Sequence, residues 1–201
     1  MSAELRNQRL STLWSQGLAQ VLSDWGAMVG LEASCSATTV EEFRRAELLE
    51  AELPEDAVAV CARIHGSCEG PLAYFFDGPT SASIAGAAMM LSDEGIEERI
   101  AQGPCEEDWE ALREMVNLML GSLSVAMRKT RTGLSASQRV DDYFVAPRAE
   151  CVPELNRRLG TGPTIVTRHE LSLGPRSGRI WACVPSSFGA ALAMLLARSA
   201  A

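Results

Sequence analysis

Gly70-Pro-Leu-Ala-Tyr-Phe-Phe-Asp-Gly-Pro79 runs into Ser81-Ala-Ser-Ile-Ala-Gly-Ala-Ala-Met-Met-Leu91. About a hundred residues later Gly178-Arg-Ile-Trp-Ala-Cys-Val-Pro185 runs into Ser186-Ser-Phe-Gly-Ala-Ala-Leu-Ala-Met-Leu-Leu196. Each stretch reads as a glycine, a short apolar strand, a proline or Gly-Pro break and a small-residue-rich apolar helix. Each follows another strand candidate, Ala57 to His65 in the first half and Thr164 to Leu173 in the second. Internal repetition decides architecture before local propensity does. The likeness extends backwards: Gly30-Leu-Glu-Ala-Ser34 matches Gly133-Leu-Ser-Ala-Ser137, and each follows a long amphipathic segment, residues 5 to 28 and 107 to 130. Shorter helices fit at Val40 to Leu53, with Thr38 or Thr39 as N-cap, and at Pro153 to Leu159. The acidic stretch Ser92 to Asp108, interrupted by Gly95 and Gly103-Pro104, reads as a solvated linker between the halves.

The chain therefore parses as two copies of helix, strand, helix, strand, strand, helix. Hairpin-like strand pairs favour antiparallel pairing. The expected fold class is α+β: a pseudo-two-fold duplicated domain with a mostly antiparallel central sheet and long helices packed on it. A half alone could hardly cover both sides of its own strands. Residues 1–201 are thus read as one domain with repeats at about 1–95 and 105–201.

Composition narrows the function classes. The 201 residues carry 18 Lys and Arg against 26 Asp and Glu, a net charge of −8, with the arginines scattered. Nucleic acid is an unfavoured ligand for such a surface, because phosphate neutralisation supplies most of that binding. Apolar runs such as Ile84 to Leu91 fall far short of the ~20 residues of a spanning helix. No secretory signal is visible at the start, so no membrane and a cytoplasmic location are expected. Cys35, Cys61, Cys68, Cys105, Cys151 and Cys183 form no Cys-x-x-Cys pair, and buried, reduced thiols behaving as small hydrophobes are expected rather than a metal centre. His65 and His169 sit in strand candidates without a nucleophile or metal set beside them. Gly66, Gly160 and Gly162 make no phosphate loop. Trp181 and Tyr74-Phe75-Phe76 read as core strand residues.

Most of the chemistry lies in the helix from Glu107 to Thr130. At about 100° per residue, Trp109, Leu112, Met115, Val116, Met119, Leu120, Leu123, Ala126 and Met127 fall on one arc, the core face. Glu110, Glu114, Asn117, Gly121 and Arg128 collect opposite, within about 60°. Glu114 and Asn117 are surface neighbours, and Gly121, one turn on, removes a side chain where another molecule can approach. Glu4-Leu-Arg-Asn7 also fits Glu-x-x-Asn, but it falls on the side of Leu10, Leu18, Val21, Trp25 and Met28, the expected core side of the first helix.

Glu110-Ala-Leu-Arg-Glu114-Met-Val-Asn117-Leu-Met-Leu-Gly121, on the polar face of a long helix in a duplicated chain, resembles the signature of the CheC and CheX chemotaxis phosphatases. That family includes FliY and the middle domain of the flagellar switch protein FliM. The resemblance covers nearly the whole chain and implies hydrolysis of the aspartyl phosphate on a CheY-like response-regulator receiver domain. It assigns Asn117 to orienting the attacking water and Glu114 to docking, the two catalytic positions, with Gly121 and Glu110 as partner-binding positions. No cofactor of the chain's own is implied, because Mg²⁺ is expected on the receiver. A CheD-like protein or a flagellar switch protein is the further partner it suggests, and a homodimer stays open.

The family often has Ser or Asp where this chain has Glu110, and a proline in the strand after the helix that Ser135 to Val140 lacks. CheC-type members carry the motif in both halves. Here helix phase matches Glu114, Asn117 and Gly121 to Gln16, Ala19 and Ser23, whereas matching through Gly30 and Gly133 pairs Glu114 with Ser11 and Asn117 with Trp14. Neither alignment recovers a second pair, so a single, CheX-like site is expected. The rival expectation is a non-catalytic binding module on the same scaffold.

Overall fold

The computed structural model describes residues 2–103, 105–129, 135–137 and 145–198. In chain order its elements are α1 (Ala3–Val29), β1 (Ala33–Phe43), α2 (Arg45–Ala51), β2 (Val58–His65), β3 (Gly70–Phe76), α3 (Gly78–Ala88), α4 (Asp93–Gln102) and α5 (Glu106–Lys129). The second half continues with β4 (Ser135–Ser137), β5 (Val145–Pro147), α6 (Arg148–Leu159), β6 (Thr164–Leu173), β7 (Arg176–Pro185) and α7 (Ser186–Arg198). Gly133 and residues 138–140 lie outside the described residues.

All described strand pairs are antiparallel, and the strands of both halves share one sheet in the order β1-β6-β7-β3-β2-β4, with β5 also on β2. Exchanging the halves turns this order into its own reverse. The hairpins β2–β3 and β6–β7 meet at β3–β7, and the first strand of each half adds to the outer edge of the other half's hairpin. The glycines that mark the repeat sit at crossing points. Gly70 on β3 lies against the Phe188 ring of α7, and Gly178 on β7 lies against Thr80 of α3, so a Cβ at either position would collide with the opposite half.

The period of two along the strands splits the core between two faces. Val58, Val60, Ala62, Ile64, Leu72, Tyr74, Phe76, Ile180, Ala182 and Val184 join α1, α3, α5 and α7 on one face. Ala59, Cys61, Ala73, Phe75, Trp181 and Cys183 join Leu48 of α2 and Leu155 and Leu159 of α6 on the other. There the buried Arg45 links α2 to α6, donating to Asn156 Oδ1 at 2.9 Å, to the Gly160 carbonyl and to Thr164 Oγ1 at 3.1 Å.

Four expectations are corrected. The stretch read as a solvated linker contains α4: Ser92 caps it by accepting from Gly95 N at 3.2 Å, Asp93 and Glu94 favour its first turn, and Ile96 packs on Gly86 of α3. The helix placed from Val40 begins at Arg45, because Thr38, Thr39 and Val40 are β-branched and pair with His169, Arg168 and Thr167 of β6. The helix placed from Pro153 begins at Arg148, whose N–H donates to the Ala57 carbonyl at 2.7 Å and whose guanidinium donates to the Leu53 carbonyl. Met28, placed on the core arc of α1, is 65% exposed, while Leu10, Leu18, Val21 and Trp25 are buried as expected. Among the thiols, Cys61 and Cys183 are buried as expected, whereas Cys35 and Cys68 are partly buried and Cys105 is exposed; none of these five is in a disulfide.

Candidate functional site on α5

α5 is buried along its core face and clamped at its first turn. Leu112, Met115, Val116, Met119, Leu120, Leu123, Ala126 and Met127 are buried, and Trp109 is partly buried against the same core. α1 comes close enough that a Cβ on Gly17 would stand 3.2 Å from Leu123 Cα. The first turn is pinned to α4. The fully buried Asp108 accepts from Cys105 N at 2.8 Å and from Arg99 Nε, while Arg99 also donates to Glu107 at 2.9 Å and to the Cys105 sulfur at 3.0 Å. The hydrogen bonds to Asp108 and Glu107 raise the pKa of Arg99 above its ordinary value, so the clamp stays charged.

The opposite face is open. Glu110, Glu114, Asn117, Gly121 and Arg128 are all exposed. Asn117 makes no side-chain hydrogen bond among the described residues. A Cβ built on Gly121 meets nothing within 4 Å. The helix rises 1.5 Å per residue, so Glu114 stands about 4.5 Å along the axis from Asn117 on the same exposed face. The four residues singled out from the sequence thus share one solvent-facing strip of a pinned helix.

Three neighbours escaped sequence reading. Leu118 and Val125 are 40% and 38% exposed and make an apolar flank beside Gly121. The signal was present, since both lie off the core arc. Arg113 Nη2 lies 2.9 Å from Glu110 Oε2 and 3.8 Å from Glu114 Oε1. Its spacing of three from Glu110 was legible; the sharing between two carboxylates was not.

The remaining candidates are accounted for by packing. His169 is buried, with Nδ1 at 3.0 Å from Thr38 Oγ1, which is itself 3.0 Å from Ser15 Oγ. Burial lowers the His169 pKa to about 4. Trp181, Tyr74, Phe75 and Phe76 are core. Asn7 donates to the Val40 carbonyl at 3.2 Å and accepts from Arg6, so the asparagine of the first Glu-x-x-Asn is spent on holding α1 to β1, while Glu4, placed with it on the core side, is exposed. Gln16, Ala19 and Ser23 are exposed, whereas Trp14 is buried. Helix phase is therefore the alignment the packing obeys. The cavity beneath α1 and α5, lined by Trp14, Tyr74, Met119 and His169, measures about 10 Å³, room for one water and not for a substrate. Among the described residues no group of three or more His, Cys, Asp or Glu is arranged to hold a metal, and no helix is long and apolar enough to cross a membrane.

Solved structures match this architecture from end to end. FliY from Thermotoga maritima superposes with a TM-score of 0.81 at 14% identity, covering 99% of this chain and 98% of that one. FliM from a FliM–SpeE complex of H. pylori gives 0.75 at 10% identity over 100% and 98%. The fold is that of FliY and FliM. The H. pylori FliM middle domain alone gives 0.69 at 12% identity over 97% and 99%. No protein-family model matches the sequence, and no curated protein does. The CheC/CheX/FliY-type resemblance is borne out at the level of fold, and at these identities the FliY and FliM likeness speaks for fold alone.

Proposed function

We propose that the chain is a phosphatase for the aspartyl phosphate of a CheY-type receiver domain, and that the strip Glu114–Asn117–Gly121 is what it inserts. The observation that carries this is the unbonded Asn117 amide, presented to solvent between an exposed carboxylate and a bare glycine on a pinned helix. An acyl phosphate is already activated, and the receiver's own Mg²⁺ and lysine carry the charge of the transferring group. What such a site lacks is a placed water. The Asn117 amide both donates and accepts, and it orients water without adding negative charge beside the phosphoryl group. The water oxygen bonds phosphorus as the P–O bond to the receiver aspartate breaks. The aspartate leaves as carboxylate, and the water proton passes to phosphate or solvent. Glu114 pairs with a receiver cation and sets how deep Asn117 reaches. Gly121 admits the partner's surface.

The interlocked strand order supports reading the chain as one duplicated domain. A second reading, a docking module without catalysis, is favoured by the FliM likeness, since that FliM was solved in complex with SpeE. Purified chain added to phosphorylated receivers with Mg²⁺ separates the two. The phosphatase accelerates phosphate loss and Asn117→Ala abolishes the acceleration, whereas the module binds and leaves the decay unchanged.

A further inference from the structure

Arg113 is the only cation between Glu106 and Leu118, in a half-helix that also carries Glu107, Asp108, Glu110 and Glu114. Arg99 of α4 already answers Glu107 and Asp108. Arg113 stands unequally close to the two acids of its own face: 2.9 Å from Glu110 and 3.8 Å from Glu114. Its side chain is 38% exposed while the two carboxylates are 60% and 71% exposed, so the guanidinium rises from a partly packed stem between two wet acids.

We propose that Arg113 is an intramolecular competitor for the docking carboxylate Glu114, and that Glu110 is a positioning residue that holds the guanidinium off it. The inference rests on the docking role given to Glu114 above. A partner cation reaching Glu114 must share it with a guanidinium already within ion-pair distance. The shorter contact to Glu110 keeps that guanidinium one helical turn back and leaves the outer side of Glu114 open. Glu110 therefore acts through Arg113 rather than as a rim contact with the partner. Ion pairs this exposed are individually weak, worth roughly two- to five-fold in affinity. Such a pair tunes binding without deciding whether it occurs.

The test is the affinity of the full chain for CheY-type receiver domains of the source genome, loaded with Mg²⁺ and beryllofluoride, with thermal unfolding as a check that each variant folds. Arg113→Gln should bind about two- to five-fold tighter than wild type, and Glu110→Gln about two- to five-fold weaker, because Glu110 then no longer draws Arg113 away from Glu114. The double variant should bind like Arg113→Gln, since Glu110 has no route to the partner without Arg113. Arg113→Lys should restore wild-type affinity, and the differences should collapse as salt is raised to about 1 M. A purely structural role for either residue would shift unfolding and not give opposite signs in affinity. If Arg113→Gln binds as wild type does or more weakly while Glu114→Gln weakens binding, the competitor role is wrong and the docking role of Glu114 stands. If wild type binds no receiver, or Glu114→Gln binds as well as wild type, the docking role itself falls and the competitor role falls with it.

Discussion

α1 and α5 hold the same place in the two repeats, and each contains Glu-x-x-Asn, yet they use their polar residues in opposite ways. α1 turns them toward its own sheet. Asn7 bonds the Val40 carbonyl, Arg6 pairs with Glu42 at 3.1 Å, and Ser15 leads through Thr38 to the buried His169. α5 is seated by apolar side chains and by one clamp at its first turn, and it leaves Glu114 and Asn117 to the solvent. The glycines diverge in the same sense: Gly17 faces inward against the Leu123 backbone, while Gly121 faces outward against nothing. A duplicated element has thus been divided into an anchored copy and a presented copy. A sequence motif acquires its meaning from the side of the helix on which it lies.

Substitutions on the two helices can break that contrast. Asn117→Ala should cost about a hundred-fold or more in receiver dephosphorylation, the range typical of losing one placed hydrogen-bonding group, with the unfolding midpoint unmoved. Gly17→Leu should drive α1 from α5 and remove about 3 kcal/mol of stability in denaturant unfolding. Acid should loosen the anchored copy selectively. His169 titrates near 4 in the folded protein because it is buried, and an unfolded histidine titrates near 6.5. Its contribution is therefore whole above pH 6.5 and is lost as the pH falls from 6.5 to 4, an amount of order 3 kcal/mol. His169→Gln should flatten that part of the stability profile. At the small end, Asn7→Ala should cost about 1 kcal/mol of stability and leave the dephosphorylation rate alone. Gly121→Ala should add about 1 kcal/mol of stability while slowing dephosphorylation, a sign reversal between stability and rate that Gly17 cannot show.

The repeat and the face of α5 were legible because each depends on local periodicity: glycine and proline punctuate the strand-to-helix turns, and a 3.6-residue period leaves Asn117 outside. α4 was missed because Gly95 and Gly103-Pro104 look like breakers, whereas Ser92 caps the helix and Ile96 finds its partner only in Gly86 of another helix. β1 was cut short because Thr39 before Glu41 and Glu42 imitates a helix start. Pairing with β6, ten residues long and distant in sequence, overrides it. The division of Arg113 between two acids depends on side-chain placement, which spacing along a helix does not fix.

Whether α5 hands a water to a phosphoryl group held by another protein is decided by the decay of phosphorylated receivers with Mg²⁺ present and the chain at a tenth of the receiver concentration. Decay several times faster than the receiver's own, continuing through many turnovers per chain, is the predicted result. Stable binding of the phosphorylated receiver with an unaltered decay curve would contradict it.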